Sequence, residues 1–281
     1  MSVWRLAGGT RLSFPPPRAA GVVNVTADSF YSGARSVTSQ QAIADGLRLV
    51  EAGFELLDVG AVAARSGPPV AVAQEIDKLV PAIQVLAERS GVPVLADTFQ
   101  VEVAEAALDA GAAAINDISG GSEAMFRLVA ERGCGYVLMH IEGPPREDRD
   151  PPRYNDVIAH QRDWFARRME LAVSCGVDPE AIVLDSGPDF DKGVDDSIRL
   201  ISRLAELKEL GRPIFAAISR KDFLGAIAAG SWEGRYDAER RGDATLAAVA
   251  LATANGADIM RLHDVEALDA MRVADAIAHD G

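Results

Sequence analysis

From residue 21 onward, short continuous apolar runs alternate with longer stretches in which apolar residues recur every three or four positions. The runs fall at 21–25, 56–60, 93–97, 113–116, 136–139, 182–185, 213–218 and 258–262. They are mostly Val, Ile, Leu and Ala, which fits strands buried on both faces. The amphipathic stretches at 40–52, 72–88, 100–110, 122–132, 157–175, 195–210, 238–254 and 265–278 read as helices. Glycine closes several of them, as at Gly53 and Gly111, where a helix C-terminus favours it. Eight strand–helix units in series imply parallel strands with right-handed crossovers, and eight is the number that closes a barrel. The expected fold is therefore an α/β chain forming a (β/α)₈ TIM barrel over 21–281. An open doubly wound sheet is the competitor, and no Gly-rich dinucleotide loop follows the first strand to support it. Residues 1–20 form a separate extension, with Trp4–Leu6 and Arg11–Phe14 flanking Gly8-Gly9 as a short β-hairpin that Pro15-Pro16-Pro17 stops.

Each strand ends in a residue that a buried strand has no need of. Asn24, Asp58, Asp97, Asn116-Asp117, His140 and Asp185 close the first six, and Ser219-Arg220-Lys221 and Arg261 with His263 close the last two. The opposite ends carry no such series. A barrel builds its active site at the C-terminal ends of its strands, so this asymmetry marks the functional face. Asp97, Asp185 and Asn116 offer acceptors, and Lys221 a donor, for the edge of an aminopyrimidinone ring. Arg261 and His263 suit a phosphate, and Asn24 is a neutral oxygen ligand suited to a hydrated Mg²⁺ that also touches phosphates. Each of these residues also has a structural use: Asp58 or Asp117 can cap a loop, and His140 can sit satisfied in a core.

Composition narrows the partners. The formal net charge is -14, with no basic cluster, which argues against nucleic acid. No apolar stretch approaches the length of a membrane span, and the first twenty residues lack a signal-peptide core, so a cytoplasmic location is the default expectation. Cys134 and Cys175 form no metal-binding pair and read as small buried hydrophobes.

At these residues the chain resembles the dihydropteroate synthase family along nearly all of 21–281. The segment from Gly21 through Asn24 and Asp28 to Phe30 is similar to that family's first signature, with Ala27 where proline is usual. Asp97-Thr98, Asn116-Asp117-Ile118-Ser119-Gly120-Gly121, Met139-His140 with Gly143-Pro144, Ser219 to Gly225, and Arg261 to Val265 resemble later ones in order. The resemblance implies condensation of a pterin-CH₂-pyrophosphate with p-aminobenzoate. It implies that Asp97, Asn116, Asp185, Lys221, Met139 and Phe190 hold the pterin, and that Asn24, Arg261 and His263 hold Mg²⁺ and pyrophosphate. Asp97, Lys221 and Arg261 become the catalytic candidates, and Arg65, Ser219, Arg220 and Phe30 the p-aminobenzoate contacts. It also implies a homodimer, through the late helices 238–254 and 265–278.

Two segments depart from the pattern. Where the family has Gly-Glu-Ser-Thr-Arg-Pro-Gly after its second strand, this chain has Ala61-Val62-Ala63-Ala64-Arg65-Ser66-Gly67. The lost hydroxyls and proline predict a 61–69 loop that is mobile without substrate, and weaker inhibition by sulfonamides, which mimic p-aminobenzoate. The sixth motif reads Asp185-Ser186-Gly187-Pro188-Asp189-Phe190, with a carboxylate where glycine is usual. Besides a working synthase, two readings stay open: a pterin-binding paralogue without this activity, and a methyltetrahydrofolate-dependent methyltransferase.

Overall fold

The computed structural model describes residues 2–25, 39–64, 67, 69–147 and 149–279. The chain opens with a hairpin, β1 (Ser2–Arg5) paired antiparallel with β2 (Arg11–Phe14), whose two-stranded sheet is separate from the barrel wall. Eight parallel strands then close into a barrel: β3 (Arg18–Asn24), β4 (Leu56–Gly60), β5 (Val94–Asp97), β6 (Ala114–Asp117), β7 (Gly135–Met139), β8 (Ile182–Asp185), β9 (Ile214–Ala216) and β10 (Ile259–Leu262). The ring runs in chain order, with β10 closing onto β3 through Leu262 opposite Gly21. Around it lie α1 (Ser39–Glu51), α2 (Val72–Arg89), α3 (Val101–Asp109), α4 (Glu123–Arg132), α5 (Val157–Ser174), α6 (Val194–Ser202), α7 (Asp222–Ala229), α8 (Gly242–Ala254) and α9 (Val265–His279). The expected TIM barrel is therefore the observed fold, and the barrel wall begins at Arg18 rather than residue 21. None of the described helices is long and apolar enough to cross a membrane.

Three helical expectations change. The stretch 195–210 is α6 followed by a tighter 3₁₀ segment, Leu204–Leu210. The break falls at Arg203, whose backbone leaves the helical region at φ -114° and ψ 23°. Helix α7 was not expected. It has only eight residues, rich in Ala and without a polar face, so it carries no amphipathic period to read. The stretch 238–254 opens as a 3₁₀ turn before α8.

The role of the N-terminal hairpin is to plug the barrel. Trp4, Leu6 and Phe14 are fully buried against Ala20, Leu56, Leu95, Ala114, Val137, Val183, Phe215 and Ile259, one inward residue from each barrel strand. Trp4 Nε1 donates to the Ala181 carbonyl at 2.8 Å, which satisfies the indole that this burial would otherwise strand. The barrel thus has an apolar floor, and polar chemistry is confined to the other end.

Candidate active site

Strand side chains alternate faces, so the residues two beyond the floor layer also point inward. They include Asp58, Asp97, Asn116, Met139, Asp185 and Arg261: one step up the barrel, the lining turns from aliphatic to charged. Arg261 organises this layer. Its Nη2 donates to Asp97 Oδ2 at 2.8 Å, and its Nε donates to Asp58 Oδ2. Asn116 Nδ2 donates to the same Asp58 oxygen at 3.0 Å. Asn116 Oδ1 and Asp58 Oδ1 are buried and have no hydrogen-bond partner among the described residues. Unmet buried acceptors are costly, and here two of them face the same barrel mouth.

Burial raises the Asp97 carboxyl to about 7, with the neighbouring Asp58 charge pushing the same way and Arg261 opposing. Burial also raises Asp185, against the Gly187 amide that donates to it at 2.8 Å and the nearby cations Lys221 and Lys192. The Lys221 ammonium lies 4.2 Å from the centre of the Phe190 ring, a cation–π contact that fixes both pterin candidates on one wall. Met139 packs with Ile118 and Ile141, against Phe99 and Phe190, and supplies an adaptable apolar surface beside the polar ring. The structure thus brings Asp97, Asn116, Asp185, Lys221, Met139 and Phe190 to one end of the barrel.

Sequence reasoning missed Lys192. It is almost wholly buried, and its Nζ donates to the His140 carbonyl at 3.0 Å and the Phe190 carbonyl at 2.5 Å. Burial lowers it to about 7, against the pull of Asp191, Asp185 and Glu142. A lone Lys in a polar loop gives no periodic signal, so only the fold shows that it backs the pterin wall. Asp189, which stands where glycine is usual, accepts through its carboxylate from the Asp222 amide at 2.5 Å and the Phe223 amide at 3.1 Å, capping the first turn of α7. It adopts φ 68°, the left-handed region that asparagine, aspartate and glycine tolerate best.

Where β9 and β10 end side by side, His263 Nδ1 and Ser219 Oγ are 2.8 Å apart. Burial lowers His263 to about 3, helped by Arg261, Arg220 and Lys221, so the imidazole is neutral and acts as a hydrogen-bonding group rather than a cation. Arg220 turns to Asp264, with contacts of 3.0 and 2.7 Å to one carboxylate oxygen, and its Nη1 donates to the Ala238 carbonyl. Its side chain therefore ties the loop after β9 to the start of α9. Asn24 ends β3, half-buried, on the strand that pairs with β10. Arg65 and Phe30 lie outside the described residues, as do Ser66 and Pro68 of the altered loop. Within that loop's described part, the Ala63 carbonyl accepts from Arg146 Nη1 at 2.7 Å, so a residue of the β7–α5 connection reaches across to it.

Two of the polar strand ends do not join the ring. Asp117 follows Asn116 and so faces outward, accepting from Tyr136 Oη and the Ser119 amide, each at 2.7 Å. His140 follows Met139 and faces α5, packed among Tyr154, His160, Trp164 and Phe165.

Residues 20–263 match the family described as pterin binding enzyme. A dihydropteroate synthase from Mycobacterium leprae is 38% identical over 279 residues, covering 96% of each chain. Two crystal structures of Xanthomonas albilineans dihydropteroate synthase superpose closely. The one with 4-aminobenzoic acid has a TM-score of 0.87 at 36% identity over 99% of both chains, and the one with 7,8-dihydropteroate has 0.83 at 34% over 98% of both. With the fold, the polar ring and these similarities in agreement, the chain belongs to the dihydropteroate synthase family of pterin-binding transferases.

Proposed function

We propose that this chain condenses 6-hydroxymethyl-7,8-dihydropterin pyrophosphate with p-aminobenzoate, giving 7,8-dihydropteroate and pyrophosphate in folate biosynthesis. The observation that carries this reading is the pair of unmet buried acceptors, Asn116 Oδ1 and Asp58 Oδ1, beside Asp97 and Asp185. A ring edge with N–H and amino donors satisfies acceptors of this kind, and Lys221 supplies the complementary donor. The 4-aminobenzoic acid and 7,8-dihydropteroate of the two Xanthomonas albilineans structures are a substrate and the product of this reaction.

Departure of pyrophosphate leaves a cation delocalised into the pterin. Asp97 and Asp185 face that cation, and their buried setting strengthens the attraction. Arg261 is paired with Asp58 and Asp97, so it meets a pyrophosphate by exchanging one anion for another, with no loose arginine to desolvate. His263 and Ser219 add neutral hydrogen bonding on that rim. The arylamine attacks the exposed methylene carbon and loses its proton to solvent, with little general-base help required. Ser219, Arg220, Arg65 and Phe30 remain the proposed p-aminobenzoate contacts. The 2.7 Å ion pair of Arg220 with Asp264 holds that side chain at the rim where the contact is proposed.

The donor set fits a substrate-borne Mg²⁺. Mg²⁺ keeps most of its waters and takes one or two protein oxygens plus phosphates, and Asn24 offers one neutral oxygen at the end of β3, the strand beside β10 that carries Arg261 and leads into His263. Bound there, the ion neutralises charge on the departing pyrophosphate. A cytoplasmic homodimer completes the proposal. Ile198 on α6, Ile227 on α7 and Leu251 on α8 are exposed and line one apolar groove with Phe223 and Leu224, a face suited to a second copy. This shifts the expected contact from α8 and α9 toward α6–α8.

The test is formation of dihydropteroate from both substrates with Mg²⁺ present. Product, lost in Asp185→Ala and Arg261→Ala, supports the synthase. Pterin pyrophosphate binding without product favours the non-catalytic paralogue, and methyl transfer from methyltetrahydrofolate favours the third reading.

A further inference from the structure

Behind the pterin wall, His140, Glu142 and His160 each present a ligand atom, and the three atoms lie within 4.8 Å of one another. Glu142 Oε1 is 2.5 Å from His160 Nε2 and 3.2 Å from His140 Nε2. His140 is completely buried, yet neither ring nitrogen has a properly oriented hydrogen bond among the described residues. A buried imidazole without such a bond is unusual, because burial strips its water without replacing it. Its Nε2 lies 3.2 Å from the Glu142 oxygen that His160 also reaches. Glu142 and His160 are partly exposed, which leaves a route from solvent.

We propose that His140, Glu142 and His160 form a binding site for one divalent transition-metal ion of the zinc class. Two imidazoles and one carboxylate are a recurrent three-ligand set for zinc, with a fourth tetrahedral position left to water. Mixed nitrogen and oxygen donors select against Mg²⁺ and Ca²⁺, which take all-oxygen shells. Ligand atoms in a tetrahedral site stand somewhat farther apart than the 2.5 Å contact, so binding replaces the His160–Glu142 hydrogen bond and opens the triangle slightly. His140 immediately follows β7, Glu142 lies in the connection after it, and His160 sits in the first turn of α5. The ion therefore clips that connection to the barrel. The His140 carbonyl accepts from Lys192, so the clip also braces the residue that backs the pterin wall. The site stands apart from the Asn24 rim, and it does not depend on the condensation chemistry.

The test uses the full chain stripped with a chelator, titrated with Zn²⁺ against a chromogenic competitor and separately with Co²⁺. The expected result is one equivalent bound, tetrahedral Co²⁺ bands in the visible, and a raised melting temperature that excess Mg²⁺ does not reproduce. His160→Ala should abolish the bands, and Glu142→Gln should weaken affinity at least about tenfold. Both positions are partly exposed, and circular dichroism reports whether the variants keep their fold. No uptake by the wild-type chain overturns the proposal. So does unchanged affinity in His160→Ala, which would place the metal elsewhere.

Discussion

Arg261 on β10 donates to Asp97 on β5 at 2.8 Å, across the barrel mouth from one side of the ring to the other. The pair couples the groups proposed for the two halves of the substrate, the cation that takes pyrophosphate and the carboxylate that faces the pterin. Asp97 therefore responds to whatever Arg261 binds. The neighbours that set its charge are Asp58, Arg261, Glu75 and Lys221.

A pH profile follows from this. Asp97 is raised from 3.8 to about 7, so its proton is lost across the neutral range. If the carboxylate is the active form, kcat/KM should rise with pH and level off above about 7. Asp97→Asn should remove that limb and lower kcat/KM. The stability sign is the reverse of the usual carboxylate case. The folded chain holds this proton more tightly than the unfolded chain, so this group's contribution declines as pH rises between 3.8 and about 7. Denaturant unfolding of wild type and Asp97→Asn across that range measures it.

Asp189→Gly should mislocate Lys221. The substitution removes the carboxylate that caps α7, at a cost of about 0.5–2 kcal/mol, offset in part by relief of the φ 68° backbone. Lys221 immediately precedes that helix. A raised KM for the pterin substrate is expected, with Asp189→Asn recovering much of it. Equal KM in all three proteins would show that the cap leaves Lys221 unaffected.

Gly121→Ala should be strongly destabilising. Gly121 sits at φ 80°, and a Cβ there would lie 2.3 Å from Phe126 Cζ and 2.8 Å from Tyr136 Oη. Both rings are buried, and Tyr136 holds Asp117, so neither yields cheaply. A loss of about 2 kcal/mol or more is expected by chemical denaturation.

Trp4→Ala should unplug the barrel floor. Removing a fully buried tryptophan costs about 3–5 kcal/mol, and the Ala181 carbonyl loses its donor. Stability should fall far more than the KM for either substrate changes, since the floor lies beneath the polar ring.

Restoring hydroxyls through Ala63→Ser with Ala64→Thr should increase sulfonamide inhibition. The present Val62-Ala63-Ala64 offers no side-chain hydrogen bond to a p-aminobenzoate mimic. Inhibition constants for wild type and the double variant decide it, and identical values would make these substitutions neutral. The expected mobility of this loop falls partly on Arg65, Ser66 and Pro68, outside the described residues.

The barrel, and which of its ends carries the chemistry, follow from the residue pattern alone. Buried parallel strands must be apolar throughout, so a polar residue closing each one is conspicuous, and Asp97, Asn116, Asp185 and Arg261 were legible for that reason. Which polar ends meet in one ring depends on how the closed barrel turns each side chain. A single step along a strand reverses the side chain's direction, so Asn116 faces inward while Asp117 meets Tyr136, and Met139 lines the mouth while His140 faces α5. Contacts that skip across the chain left no local trace either. Lys192 reaches a carbonyl 52 residues away, and Asp189 caps a helix 33 residues on. Their partners are set by how loops pack over a closed barrel, and no periodicity in the sequence encodes that packing.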